Sequence, residues 1–287
     1  MKKQRLYAFL FTITAAGILA IGCTAAPAPI AEPDPTSQVV DCDVRCSQPT
    51  EANADYCQQI EEQILKSTVR IRIDEWFVKT DESGYVINSV VGHATLMDGR
   101  YLVTHNHFDA PLAMQAPEGA ETGYRTITLF NSQGETCYQG PLAEFDVVWS
   151  EPETLVIAHE GEGFFEELGF VSAEFKDWSS VPLAAGMEVA QVDWDGMTER
   201  VDWTNIEDVA VAARVPCLVL DDGITMGASG GGVFLQGVHI AHNWRAVEYF
   251  DEAGDLVDAA SRAALDSGQV IDHAVPLPAA GGVRAER

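Results

Sequence analysis

Apolar residues along this chain recur mostly at every second position. Val69, Ile71 and Ile73 alternate with Arg70 and Arg72, the period of a strand whose side chains point to opposite faces. Further runs of strand character follow at short intervals, at 85–96, 101–104, 124–130, 144–149, 155–158, 187–194, 208–214, 217–220, 232–235 and 238–242. Turn residues part them: Asp98-Gly99, Asn131-Ser132-Gln133-Gly134, Asp195-Gly196 and Asp221-Asp222-Gly223. No long amphipathic helix interrupts the succession, so the pattern predicts a barrel or sandwich and not alternating βαβ units. One stretch before it differs. Between residues 51 and 66, Tyr56, Ile60 and Ile64 at four-residue steps predict a modest helix, with Cys57 beside its apolar stripe.

The first residues carry a different pattern. A basic start, Lys2-Lys3-Gln4-Arg5, leads into an apolar run at 6–21, short for a membrane span and right for a secretory signal. The run ends in Leu19-Ala20-Ile21-Gly22-Cys23, which resembles a bacterial lipobox. That resemblance implies lipidation of Cys23 and an exported cell-envelope lipoprotein, held on the bacterial membrane through its lipid. Residues 23–50 are Pro- and Ala-rich as far as Val40, include Cys42 and Cys46, and read as a tether.

Charge narrows the partners. The 287 residues hold 17 Lys and Arg against 44 Asp and Glu, and loss of residues 1–22 removes only bases. Such a surface repels nucleic acid and anionic lipid headgroups, so no DNA or RNA partner is expected. Apart from Cys23, five cysteines remain: Cys42, Cys46, Cys57, Cys137 and Cys217. In an oxidising compartment the simplest arithmetic is two disulfides and one spare thiol.

Two stretches carry chemistry. LVTHNHFDA at 102–110 sets His105 and His107 two apart, ready either as metal ligands or as the base of a hydrolase. The run Gly227-Ala228-Ser229-Gly230-Gly231-Gly232 surrounds a serine with glycines immediately before a strand. Such a turn can expose a hydroxyl while its backbone N–H groups converge, which is what the oxyanion of acyl transfer requires.

Together these motifs resemble those of the trypsin-like, chymotrypsin-fold serine peptidases. The serine motif stands as Gly227-Ala228-Ser229-Gly230-Gly231, and the frame Gly92-His93-Ala94-Thr95-Leu96 followed by Leu102-Val103-Thr104-His105-Asn106-His107 puts His107 in the catalytic place. The resemblance implies a mainly β fold of two six-stranded antiparallel barrels with short helices. It places the peptidase domain at 51–275, with barrels at about 64–165 and 182–275 and a tail at 276–287. It also implies a catalytic triad of His107, Ser229 and an acid, with the N–H groups of Gly227 and Ser229 as the oxyanion hole, and no cofactor. Glu153, opening Glu153-Thr154-Leu155-Val156-Ile157, matches the acid's place; Asp146 is the runner-up, and Asp109 sits too close in sequence to His107. His105 reads as a neighbour on the strand, packed or facing solvent.

The function implied is an exported, membrane-tethered serine endopeptidase that cleaves protein or peptide substrates through an acyl-enzyme. Two departures keep an inactive binding domain of the same fold in view: the acid is glutamate, and Ala228 stands where members activated by cleavage carry an acid. An oxyanion loop without that acid must be held by local packing. A zinc hydrolase of the metallo-β-lactamase type is the third reading. Ala110 falls where its motif needs a histidine, His159, His239, His242 and His273 have no ligand context, and no metal is expected. Around the primary pocket, near 223–225 and 240–244, no acid favours a basic side chain, and His242 stands in the facing wall.

Overall fold

The computed structural model describes residues 45–79, 85–108, 120–250 and 256–266. The leader at 1–22, Cys23, the tether as far as residue 44 with Cys42, and Asp109, His273 and the tail at 276–287 lie outside the described residues.

The strands of the described residues form two sheets. The front sheet holds β1 (Thr68–Lys79), β2 (Tyr85–Met97), β3 (Tyr101–His105), β4 (Ala120–Phe130), β5 (Thr136–Pro141), β6 (Phe145–Glu151) and β7 (Thr154–His159), in the spatial order β5-β4-β1-β2-β3-β7-β6. The back sheet holds β8 (Glu174–Phe175), β9 (Glu188–Trp194), β10 (Glu199–Ala212), β11 (Val215–Leu220), β12 (Gly232–Leu235), β13 (Val238–Phe250) and β14 (Leu256–Leu265), ordered β12-β9-β10-β11-β14-β13-β8. A further pairing of β12 with β13 closes six of these strands into an antiparallel barrel. The front sheet remains a half-barrel, no pairing among the described residues joining β5 to β6. The architecture is mainly β, two-lobed and chymotrypsin-like.

The alternation in β1 explains how the halves dock. Val69, Ile71 and Ile73 are fully buried and pack with Leu96, Leu102 and Ile127 in the front core. Each such side chain contributes about 1.5–3 kcal/mol of burial. The other face of β1 is wet at Arg72 but covered at Arg70, which reaches the back sheet. Arg70 is 8% exposed there, with its guanidinium 4.6 Å from the Phe130 ring centroid and 3.5 Å from Glu199 Oε1 of β10. The β2–β3 turn has both Asp98 (φ 50°) and Gly99 (φ 67°) in the left-handed region, as a tight hairpin requires, and so brings β3 back along β2.

The helix before β1, α1 (Ala54–Ser67), turns Ile60 and Ile64 onto Ala190, Val192 and Phe234 of the back barrel. Tyr56, the third residue of the predicted stripe, is 44% exposed, so the stripe is narrower than its spacing implies. Glu188 accepts from the Cys46 and Ser47 amides, and the Trp203 indole N–H donates to Glu61 at 2.6 Å. The expectation of two disulfides is corrected among the described cysteines. Cys46 and Cys57 are bridged, whereas Cys137 on β5 and Cys217 on β11 are free thiols held in different sheets.

Candidate active site

The turn at 225–231 runs straight into β12, and its backbone is held almost peptide by peptide. The Gly227 carbonyl meets His93 Nδ1 at 2.9 Å, and the Ser229 carbonyl accepts the His93 backbone N–H at 2.8 Å. Ala228 N–H donates to Thr225 at 3.0 Å, Gly231 N–H to Ala228 at 2.9 Å and Gly230 N–H to Asn243 at 2.8 Å. Gly227 has φ 103°, and a Cβ there would lie 2.5 Å from the Trp194 ring, so both backbone angle and space demand glycine. Upstream, Asp193 anchors the turn by accepting from the Thr225 amide at 2.8 Å and hydroxyl at 3.0 Å. Ala228 is fully buried and Ser229 half-buried at the surface of the cleft. Among the described residues neither the Gly227 nor the Ser229 N–H has an acceptor.

His107 arrives from the front half on a 3₁₀ turn, Asn106–Phe108, that follows β3 and is pinned by the fully buried Phe108. Its ring lies against Gly92. A Cβ at Gly92 would be 2.8 Å from His107 Cε1, 3.0 Å from its Nε2 and 2.9 Å from the Ser229 carbonyl oxygen. The absent side chain of Gly92 thus lets the imidazole and the serine backbone approach one another. His107 Nε2 is buried and without a hydrogen-bond partner among the described residues.

His105, taken from sequence as a packed or solvent-facing neighbour, joins the acid to that ring. Its Nε2 is 2.9 Å from Glu153 Oε2 and its Nδ1 is 2.8 Å from His107 Nδ1. The hydrogen-bond inventory fixes the tautomers. With Glu153 ionised, His105 Nε2 donates to it, which leaves His105 Nδ1 a bare acceptor. His107 therefore donates from Nδ1, and its Nε2 keeps a lone pair. Burial, then the neighbouring His242 and His107 and the Arg245 charge, hold His105 down at about 3. Burial and His242 lower His107 to about 4, against an opposing backbone contact at Val91. Both rings are neutral at neutral pH. The two-residue spacing of the histidines was the only sequence signal for this pairing, the first closing β3 and the second standing on the 3₁₀ turn beyond it.

Glu153 stands on the tight β6–β7 turn with φ 77°. Burial raises its pKa, opposed by Arg245, His242 and a hydrogen bond from the Trp244 side chain. Its carbonyl accepts from His242 Nε2 at 2.8 Å and from the Asn106 amide at 3.3 Å. Behind it, His242 Nδ1 lies 3.0 Å from both oxygens of Asp266, which also meets His239 Nε2 at 2.8 Å. All three side chains are buried. Burial alone would discharge His242, but Asp266 and its hydrogen bonds hold its pKa above the ordinary value; Asp266 is drawn down to about 2 by the two histidines against its own burial. His242 is thus committed to Asp266 and Glu153, and does not face a pocket wall.

The structure therefore brings His107, His105, Glu153, Gly227 and Ser229 to one cleft between the halves, while Asp146 lies exposed on β6. The link from Glu153 to His107 runs through His105. The pairing of the two Nδ1 atoms uses the lone pair that metal ligation at His105 would need, and His159 stacks on Phe164 at 3.6 Å. Among the described residues no group of three His, Cys, Asp or Glu side chains is arranged to hold a metal ion.

No protein-family model matches the chain, and no curated protein matches it. Among solved structures it is similar to Deg5, at 15% identity and TM-score 0.48, over 74% of this chain and 91% of that one. It is also similar to the scabies mite inactivated protease paralogue S-I1, at 13% identity and TM-score 0.46, over 74% of this chain and 93% of that one. Neither likeness assigns a role to any residue of this chain.

Proposed function

We propose that this protein is a serine hydrolase that cleaves peptide bonds in the cell envelope. Ser229 Oγ attacks the substrate carbonyl while His107 Nε2 takes its proton. The oxyanion is met by the N–H groups of Gly227 and Ser229, each such donor being worth about 3–4 kcal/mol of transition-state stabilisation. The positive charge formed on His107 is steadied through its Nδ1–H bond to His105, which Glu153 orients in turn. His107 then protonates the leaving amine, and water releases the acyl group from Ser229.

One observation carries this reading: the His107 ring, whose Nε2 has no hydrogen-bond partner among the described residues, lies beside the Ser229 backbone across the junction of the halves. The test is covalent labelling of the folded chain by a fluorophosphonate probe. Modification of Ser229, lost in Ser229→Ala without a change in thermal unfolding, is expected. A folded chain that never labels would sink it in favour of a binding domain of the same fold, a reading favoured by one specific feature, the imidazole interposed between acid and base.

At the place where the resemblance puts the primary pocket, near Gly223, nothing selects for a basic side chain. Gly223 carries no charge, a Cβ there would lie 2.9 Å from Ala259 Cβ, and Asp193 is spent on Thr225 and Arg200. Export fits the Cys46–Cys57 bridge, which persists in oxidising compartments. Anchoring through a lipid on Cys23 completes the proposal, and intact mass measurement of membrane-extracted protein checks it.

A further inference from the structure

Nothing in the intrinsic preference of a glycine-rich turn keeps its N–H groups aimed into a cleft; something outside it must. We infer that His93 is the positioning residue that holds the oxyanion loop, and that Glu199 and Arg70 hold His93. This rests on the reading of Ser229 as the nucleophile.

His93, on β2 of the front sheet, grips the loop at two points, its ring Nδ1 on the Gly227 carbonyl and its main-chain N–H on the Ser229 carbonyl. A trans peptide is planar, with C=O and N–H pointing opposite ways. Fixing the Gly227 carbonyl on His93 therefore turns the Ala228 N–H away, onto Thr225. The next peptide has its Ala228 carbonyl drawn to the Gly231 N–H, which turns the Ser229 N–H outward. His93 thus sets the first orientation, while Gly231 and the Asn243 side-chain amide set the second, with the His93 N–H fixing the Ser229 carbonyl on its far side. Gly227, at φ 103° with the Trp194 ring against it, has no conformational preference that would do the same work.

The ring is itself clamped. His93 Nε2 lies 2.9 Å from Glu199 Oε1 on β10, and Arg70 Nε on β1 reaches the same oxygen at 3.5 Å while its Nη1 donates to the Met197 carbonyl at 3.1 Å. His93 is fully buried, Glu199 6% exposed and Arg70 8% exposed. Nδ1 meets the Gly227 carbonyl and Nε2 the Glu199 carboxyl, so the ring is gripped at both ends inside the junction. A buried polar cluster of this kind is weak grounds for stability as such, but removing one partner leaves the others unmatched, which is costly. Its members come from β1 and β2 in front and β10 behind, so the loop takes its shape only when the halves are docked. The chain needs no activating cleavage to set it.

The experiment uses the full chain and three variants, His93→Phe, His93→Asn and Glu199→Gln. Two readouts are taken: fluorophosphonate inactivation resolved into maximal rate and probe affinity, and amide exchange across 225–231. In His93→Phe the maximal rate falls about 10²–10³-fold, the loss of an oxyanion donor, with probe affinity within twofold. The Ala228 and Gly230 amides lose protection while the strand amides of both sheets keep theirs. His93→Asn, whose side-chain amide can stand where Nδ1–H stood, recovers at least tenfold on both readouts. Glu199→Gln keeps an acceptor and loses the charge, gives a smaller loss of the same kind, and decides the matter if His93→Phe does not fold. Wild-type loop exchange in His93→Phe, an Asn variant no better than Phe, or exchange raised evenly over both sheets overturns the inference. If the wild type fails to label but the loop opens as described, the nucleophile reading falls and the lock stands.

Discussion

On the serine side of the cleft the fixing contacts converge on backbone. Peptide carbonyls at Gly227, Ala228 and Ser229 are each taken up, by His93 or Asn243, while Asp193 accepts from Thr225, and all three of these side chains are almost wholly buried. On the histidine side the contacts run ring to ring and end on a carboxylate whose side chain is 24% exposed. The first kind of scaffold rests mostly on amide and carbonyl groups, which do not titrate, with the His93 ring and the Asp193 carboxylate as its protonatable members. The second is a proton arrangement: should Glu153 become neutral and donate to His105, His105 would donate onward from Nδ1 and His107 would be left with its proton on Nε2, a donor where a base is needed. The serine lip is thus preorganised by packing and the histidine lip by tautomer.

The largest expected effect comes from separating the two lips. Gly92→Ala places a Cβ within 3 Å of both the His107 ring and the Ser229 carbonyl, and the latter cannot retreat because His93 N–H holds it. The ring must swing away, so fluorophosphonate labelling should fall more than about 10³-fold, while overpacking costs only about 1–3 kcal/mol in thermal stability. Near wild-type labelling in Gly92→Ala would mean that the base does not work from where the ring lies.

A smaller effect tests the histidine lip alone. His105→Ala and Glu153→Ala should each slow labelling about 10²-fold, within the range general acid–base assistance supplies. Because the two act as one chain, the double variant should be little slower than either. Additive losses would show that Glu153 reaches His107 by some path other than His105.

That chain also marks where sequence reasoning stopped. The apolar alternation at Val69, Ile71 and Ile73, and the glycines around Ser229, are local patterns, and they led to the right strands and the right turn. The β14 strand was missed because Ala259, Ala260, Ala263 and Ala264 have no strand preference of their own; small side chains there let β11, β13 and β14 pack, a need set by the tertiary partners. Strand β10 begins at Glu199, nine residues before its apolar alternation starts at Asp208, because Thr204 and Ile206 are buried against neighbours that only the barrel supplies. In the same way, nothing along the chain joins Arg70, His93 and Glu199. Their meaning lies in a contact between sheets that no spacing along the chain encodes.

The smallest effect concerns pH, and it separates the two titrating members of the histidine lip. A general base works when neutral and is lost as pH falls through its folded pKa. At pH 5.5 a histidine at the ordinary value of about 6.5 would be about nine-tenths protonated and labelling would drop about tenfold. With His107 lowered to about 4 and His105 to about 3, labelling at pH 5.5 should stay within about twofold of its value at pH 7.5. Stability follows the same sign. The unfolded chain takes up these protons first, so the contribution of the neutral rings is complete above about 6.5 and is lost as pH falls toward 4. A tenfold fall by pH 5.5 would contradict the burial of the ring unless Glu153, whose own pKa burial raises, were taking the proton and reversing the tautomers. Glu153→Gln separates the two, since its amide oxygen still accepts from His105 but does not titrate. A fall that persists in that variant belongs to His107, and one that vanishes belongs to the carboxylate.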